Sequence, residues 1–299
     1  MKPWLWLSVA TVALWGLWGF LSRVVGNDLT GEEALVLNTV GLSPIIIWLA
    51  LRPSRKESVN LGSVGWAVLG GLVGNAGNFA LYHLMNSGEK AATTIPLTSL
   101  YPVLTILLAM VVLRERMSGW QWGGIGASLV AIWCFNMQSA ELSGGRWLVF
   151  AMLPLACWGF AALFQKMSTR KLSGECSTLW FLLGLVPMAV WMAISPGLRE
   201  GLNSRAIWLA LISGLMLGLG NLTLLAAYSK DGKASVITPL SSIYPMVTVL
   251  LAVTFLGERL GSLEKLGISC SLLGVIMLSV ERRPSVEARA EGVSERADV

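Results

Sequence analysis

One histidine, His83, is all that this 299-residue chain offers for imidazole chemistry. Its four cysteines, Cys134, Cys157, Cys176 and Cys270, show neither disulfide nor zinc spacing. They read as small residues in or beside apolar helices. The chain has no phosphate-binding loop and no paired acids within one apolar stretch. Catalysis by metal, thiol or nucleotide cofactor therefore has little to stand on, and we expect no enzyme, no metal and no cofactor. Charge is scarce as well: 13% of residues are charged, against about 25% in soluble domains. What is abundant is apolar. The chain is 55% hydrophobic with 14 Trp and a mean hydropathy of +0.67, which points to a lipid bilayer as its surroundings. The net charge of +5 calls for no nucleic-acid partner, because it follows from where Lys and Arg are placed.

Apolar stretches recur at lengths that cross a hydrocarbon core of about 30 Å. We place them near 4–24, 33–51, 64–86, 91–113 and 120–137, then near 147–166, 177–195, 206–228, 234–256 and 263–280. Backbone groups in lipid must bond within their own segment, so these spans are expected to be helices. The first could pass for a signal peptide. It recurs at 147–166, however, and reads as a retained first span.

Shifted by 143 residues, the sequence repeats itself. Between 90 and 116, 14 of 27 positions are identical under that shift. Lys90 falls on Lys233, Pro96 on Pro239, Tyr101-Pro102 on Tyr244-Pro245 and Glu115-Arg116 on Glu258-Arg259. Upstream, Trp4 matches Trp147, Trp15-Gly16 matches Trp158-Gly159, Pro44 matches Pro187 and Gly77-Asn78 matches Gly220-Asn221. Composition alone would not hold Trp, Pro, Asn and Tyr in one register, so the chain is two copies of one unit. We expect an all-α integral membrane protein of ten transmembrane helices. Residues 1–140 would form a first five-helix repeat, 141–280 a second, and 281–299 a polar, disordered cytoplasmic tail.

Five spans is an odd number, so the second copy must enter the membrane from the other side. With the N-terminus cytoplasmic, fifteen of the 22 Lys and Arg fall on the inner side and seven outside, as the positive-inside rule asks. Both termini are then cytoplasmic, and a multi-pass protein of the plasma (inner) membrane is expected. Inverted repeats are typical of secondary transporters, whose halves can exchange shapes and open a midplane site to either side. A non-transporting membrane scaffold or lipid-handling protein is the alternative.

Several residues are candidates for that site. Thr98, Tyr101, Pro102 and Thr105 share one face of span 4, and Ser241, Tyr244, Pro245 and Thr248 repeat it in span 9. Ser99 and Ser242 adjoin them. Each proline frees the carbonyl four residues back, that of Thr98 or Ser241, so a kinked cavity wall and a packing kink both remain open. Pro102 and Pro245 are candidate hinges. Asn78 and Asn221 are buried amides that need partners. Asn75 and Tyr82 share the Asn78 side, but their counterparts Gly218 and Leu225 are not polar, which would make any site lopsided. Trp15 and Trp158 lie near mid-span, where they could wall a solute or pack on neighbours; Trp4, Trp48, Trp120, Trp147 and Trp191 suit the interfacial belt. Glu115 and Glu258 end spans 4 and 9 and could act in gating or as charge anchors. No acid lies within 4–21, and no Lys or Arg lies mid-span.

These stretches resemble the EamA branch of the drug/metabolite transporter superfamily. The resemblance rests on "ALWGLWGF" at 13–20, "ACWGFAAL" at 156–163, "PLTSLYPVLTILLA" at 96–109 with "RER" at 114–116, and "TPLSSIYPMVTVLLAVTFLGERL" at 238–260 followed by "LGISCSLLGVIML". It covers roughly residues 4–280. It implies a ten-helix, exporter-like carrier of small metabolites, often amino acids or their relatives, with spans 1, 3, 4, 6, 8 and 9 around a central cavity. The chain departs from the four-helix multidrug relatives, which carry a glutamate in their first span, and Arg114 stands where Gly257 keeps the glycine. An exporter or exchanger of neutral or zwitterionic solutes is therefore expected. Its partners would be a small-molecule substrate and the bilayer, as a monomer or a homodimer.

Overall fold

The computed structural model describes residues 3–52, 60–113, 118–143, 146–195, 202–228, 241 and 243–278. All regular structure among them is helical. In chain order the helices are α1 (Pro3–Val25), α2 (Gly31–Gly41), α3 (Ser43–Ala50), α4 (Leu61–Asn86), α5 (Ala91–Thr98) and α6 (Tyr101–Leu113). There follow α7 (Gly119–Ser143), α8 (Arg146–Ser168), α9 (Gly174–Ile194), α10 (Ser204–Tyr228), α11 (Tyr244–Phe255) and α12 (Ser262–Leu278). Polar caps set several starts. Thr30 and Glu33 form a reciprocal capping box on α2, Asn60 accepts from Ser63 N at 3.0 Å, and Ser173 accepts from Cys176 N at 3.4 Å. Such caps satisfy first-turn N–H groups that have no partner inside the helix.

Among the described residues, seven helical stretches are long and apolar enough to cross a bilayer, counting α2 with α3 and α5 with α6 as one each. The apolar α11 is shorter, at 12 residues, and α12 has 17. Two expected continuous spans are broken. The second divides at Leu42, just before Pro44, and the fourth at Ser99-Leu100, just before Pro102. A proline has no N–H to donate to the carbonyl one turn back and crowds the turn before it, so the chain restarts at the proline, which takes a first-turn position. The tail 281–299, Glu115 with its neighbours 114–117, the stretch 229–240 and Ser242 lie outside the described residues.

Helix pairing follows the 143-residue register. Helix α4 packs on α8 as α10 packs on α1, α6 meets α8 as α11 meets α1, and α4 crosses α9 as α10 crosses α2. Two pairs map onto themselves: α2 with α9 and α7 with α12. The α4/α9 crossing brings Gly71 against Phe181 O and Gly184 against Val68 O. The α10/α2 crossing brings Gly214 against Asn38 O and Gly41 against Leu211 O, each residue 143 positions from its counterpart. With no hydrophobic drive between helices in lipid, small residues that let backbones touch are the chief source of contact energy. The largest buried cluster gathers Trp18, Leu81, Met85, Ile95, Leu100, Phe135 and Tyr244, from both halves.

Candidate functional site

Two reciprocal contacts join the halves at mid-span. The Trp15 ring meets Tyr244 edge-on at 5.7 Å between centroids, and Trp158 meets Tyr101 edge-on at 6.2 Å. In each case the indole comes from the first span of one half and the phenol from the Tyr-Pro of the other. Edge-to-face geometry is what the aromatic quadrupole favours. Just beyond, Thr248 Oγ1 donates to Gly16 O at 2.9 Å and Thr105 Oγ1 donates to Gly159 O at 3.0 Å. The Trp-Gly and Tyr-Pro-x-x-Thr segments thus interlock twice. Side chains are excluded at those glycines: a Cβ at Gly16 would meet Val247, and one at Gly159 would stand 2.9 Å from Leu104.

The amides differ between the halves. Trp158 Nε1 donates to Asn78 Oδ1 at 3.2 Å, Asn78 Nδ2 to Asn75 Oδ1 at 3.2 Å, and Asn75 Nδ2 to Leu185 O at 2.7 Å. Asn221, the counterpart of Asn78, donates instead to Leu217 O in its own helix at 3.1 Å. Tyr82 is buried and accepts from Trp18 Nε1 at 3.1 Å, and Trp18 in turn lies 5.8 Å from the Trp158 ring. Trp18 escaped the sequence reading because Ala161 stands at its register position and leaves no echo.

Thr98 and Ser99 are placed beside the break but bond to their own helix. Thr98 Oγ1 donates to Thr94 O at 2.9 Å and Ser99 Oγ to Pro96 O at 2.8 Å. Their spacing argument assumed one continuous helix through Tyr101, and the break at Ser99-Leu100 interrupts it. Ser241 and Tyr244 are buried, Pro102 is half-buried and Pro245 is buried at the start of α11.

Glu258 sits at one end of the bundle, away from the indoles. Its two oxygens accept from Ala91 N at 2.9 Å and Ala92 N at 2.8 Å, so the second half caps the first turn of α5. A carboxylate there meets both free N–H groups and the positive end of the helix. Beside it Lys90 Nζ pairs with Glu264 at 2.9 Å and donates to Arg259 O at 3.0 Å. Glu264 is buried, and also accepts from Gly261 N at 2.7 Å. Lys90 lies 174 residues from Glu264. The one available signal was a lapse in the repeat, Glu264 standing where the first half has Gln121. In the same loop burial pushes the Glu89 carboxyl up, with Arg23 and Lys90 partly offsetting it. No His, Cys, Asp and Glu cluster among the described residues could hold a metal ion.

Comparison with known proteins matches this architecture. One relative is a "probable terminal-alkyne amino-acid exporter" of Streptantibioticus cattleyicolor, 29% identical over 203 residues, covering 62% of this chain and 64% of that protein. Another is an uncharacterised protein of Methanocaldococcus jannaschii, 46% identical over 61 residues, covering 20% of this chain and 44% of that one. Both matches span less than two thirds of the relative's own length. One crystal structure superposes with a TM-score of 0.60 at 15% identity, covering 96% of this chain and 99% of that chain, and shares its fold. The model of the EamA-like transporter family matches twice, at residues 2–137 and 145–280. With a match over both halves and apolar helices throughout, this multi-pass membrane protein belongs to the EamA-like transporter family.

Proposed function

We propose that this transporter exports or exchanges small neutral or zwitterionic solutes, amino acids and their relatives among them. It works by alternating access between two inverted five-helix halves, residues 1–140 and 141–280, in the plasma (inner) membrane with both termini cytoplasmic. The observation that carries this reading is the exchange of helix contacts under the 143-residue shift, down to the glycine–carbonyl pairs. Two such halves have matched surfaces and can trade roles at little cost. The break at Ser99-Leu100 supports the same reading, since discontinuous helices near the midplane are where such carriers hold their solutes. On this orientation the Glu258 cap and the Lys90–Glu264 pair lie on the outer side and hold it closed. The amino-acid class is supported by the exporter name of the Streptantibioticus relative, and by a mid-span site with indoles, phenols and amides but no fixed charge.

Counterflow tests it. Proteoliposomes preloaded with unlabelled amino acids should take up labelled amino acid transiently above equilibrium, without any ion gradient. Uptake equal to protein-free vesicles, across the twenty standard amino acids, would sink the reading.

A further inference from the structure

The two indole contacts have the same backbone setting and unequal hydrogen bonding. Each pyrrole edge lies on a glycine of the facing helix, Trp158 on Gly77 and Trp15 on Gly220. On the Trp158 side a chain of bonds runs from indole through Asn78 and Asn75 to the Leu185 carbonyl. On the Trp15 side, Trp15 Nε1 is buried with no partner. Asn221 uses its Nδ2 on Leu217 O, and among the described residues no donor reaches its Oδ1.

The sequence contains the cause. Gly218 stands where the first half has Asn75. Without a side-chain acceptor one turn back, the Asn221 amide turns to the backbone carbonyl and leaves the indole alone. A Cβ at position 218 would press on Leu42 and Ile45, 3.1 Å from a side-chain carbon of each, so close helix packing accompanies the asymmetry. A buried N–H left unpaired costs about 1–3 kcal/mol, and such orphans are rare in folded proteins. Here one lies on Gly220, next in sequence to Asn221, in mid-span, with the Tyr244 ring edge-on to the same indole.

We propose that Trp15 Nε1 and Asn221 Oδ1 are the donor and acceptor of the solute site, while Trp158, Asn78 and Asn75 form its self-satisfied opposite wall. The ligand is a solute with a carboxylate next to an N–H donor. Its carboxylate oxygen accepts from Trp15 Nε1, its ammonium donates to Asn221 Oδ1, and its apolar part lies against Tyr244. Both protein groups are neutral, which suits a ligand of zero net charge in a site with no fixed charge to balance. This assignment rests on the carrier reading above and narrows it to one half of the site.

Indole 15N spectra of the full-length protein in nanodiscs test it. Tryptophan is labelled, and the Trp15 signal is assigned by its loss in Trp15→Phe. Titration with the twenty standard amino acids should shift that signal for at least one of them, and the matching amine without the carboxylate should not shift it. In proteoliposomes, Trp15→Phe and Asn221→Leu should raise KM for that amino acid about tenfold, at least five times more than Trp158→Phe does. A Trp15 signal that no amino acid moves, or a KM effect larger for Trp158→Phe, overturns the assignment. Absent flux in the wild-type protein would count against the carrier reading instead, while the spectra still decide the site.

Discussion

Gly71 and Gly184 let α4 and α9 touch backbone to backbone, and Gly214 and Gly41 do the same for α10 and α2. Four residues further along α4 and α10, the match lapses: Asn75 bonds across to Leu185, whereas Gly218 has no side chain to bond and sits under Leu42 and Ile45. The first comparison concerns what the fold needs in order to close, and it is held twice. The second concerns polar side chains, which two halves with different tasks need not share. Duplication thus supplies the frame, and the proposed solute site lies where the repeat departs from itself.

The frame can be broken in either half, and the two should suffer alike. Gly71→Leu and Gly214→Leu each push a side chain into a facing carbonyl. Overpacking of this kind costs about 3 kcal/mol, so both variants should lose most of their monodisperse fraction after mild heating in detergent. One variant tolerated and the other not would break the equivalence of the crossings.

Side-chain departures should show up as unequal effects. Trp158→Phe strands Asn78 Oδ1 and should cost about 1 kcal/mol. Trp15→Phe removes a donor that has no partner and should cost almost nothing in the ligand-free protein. Thermal unfolding of the two variants side by side would show it, and equal losses would erase the difference between the walls. Removing the cap sharpens the picture at the bundle's end. Glu258→Ala should cost about 1 kcal/mol and raise the alkylation rate of a cysteine placed at Ala92, now fully buried. An unchanged rate would make the cap a local brace with no bearing on opening.

The smallest effect is expected at Glu89, half-exposed in the same loop. Its pKa is raised in the folded state, chiefly by burial. A raised carboxylate favours folding below its unfolded pKa, and that advantage is lost as pH rises through the folded value. Glu89→Gln should therefore unfold at a slightly higher temperature than the parent near pH 7, with the gap closing toward pH 4. A gap that widens on acidification would contradict the sign.

Much of this frame could be read in the sequence. Trp, Pro, Asn and Tyr are rare enough in a chain of this composition that their recurrence at 143 residues exposed the repeat. Proline signalled a kink at Pro102, where the helix in fact breaks, and the break at Leu42 went unread although Pro44 stands beside it. Features without an echo stayed hidden. Trp18 and Tyr82 bond to each other where the second half has Ala161 and Leu225, and Glu264 finds Lys90 only through the fold. Hydroxyls misled for another reason. Thr98 and Ser99 have the right chemistry for a cavity, yet carbonyls one turn back satisfy them, a choice local spacing cannot decide.

Inversion of the two halves is the claim on which the carrier reading depends, and equivalent positions test it. Asn27 and Arg170 are both exposed and lie 143 residues apart. In a variant with the four native cysteines replaced, a single cysteine at each position can be labelled in intact cells with a membrane-impermeant maleimide. Asn27→Cys should react from outside, and Arg170→Cys only after the membrane is permeabilised. Labelling of both from the same side would show parallel halves and contradict the account.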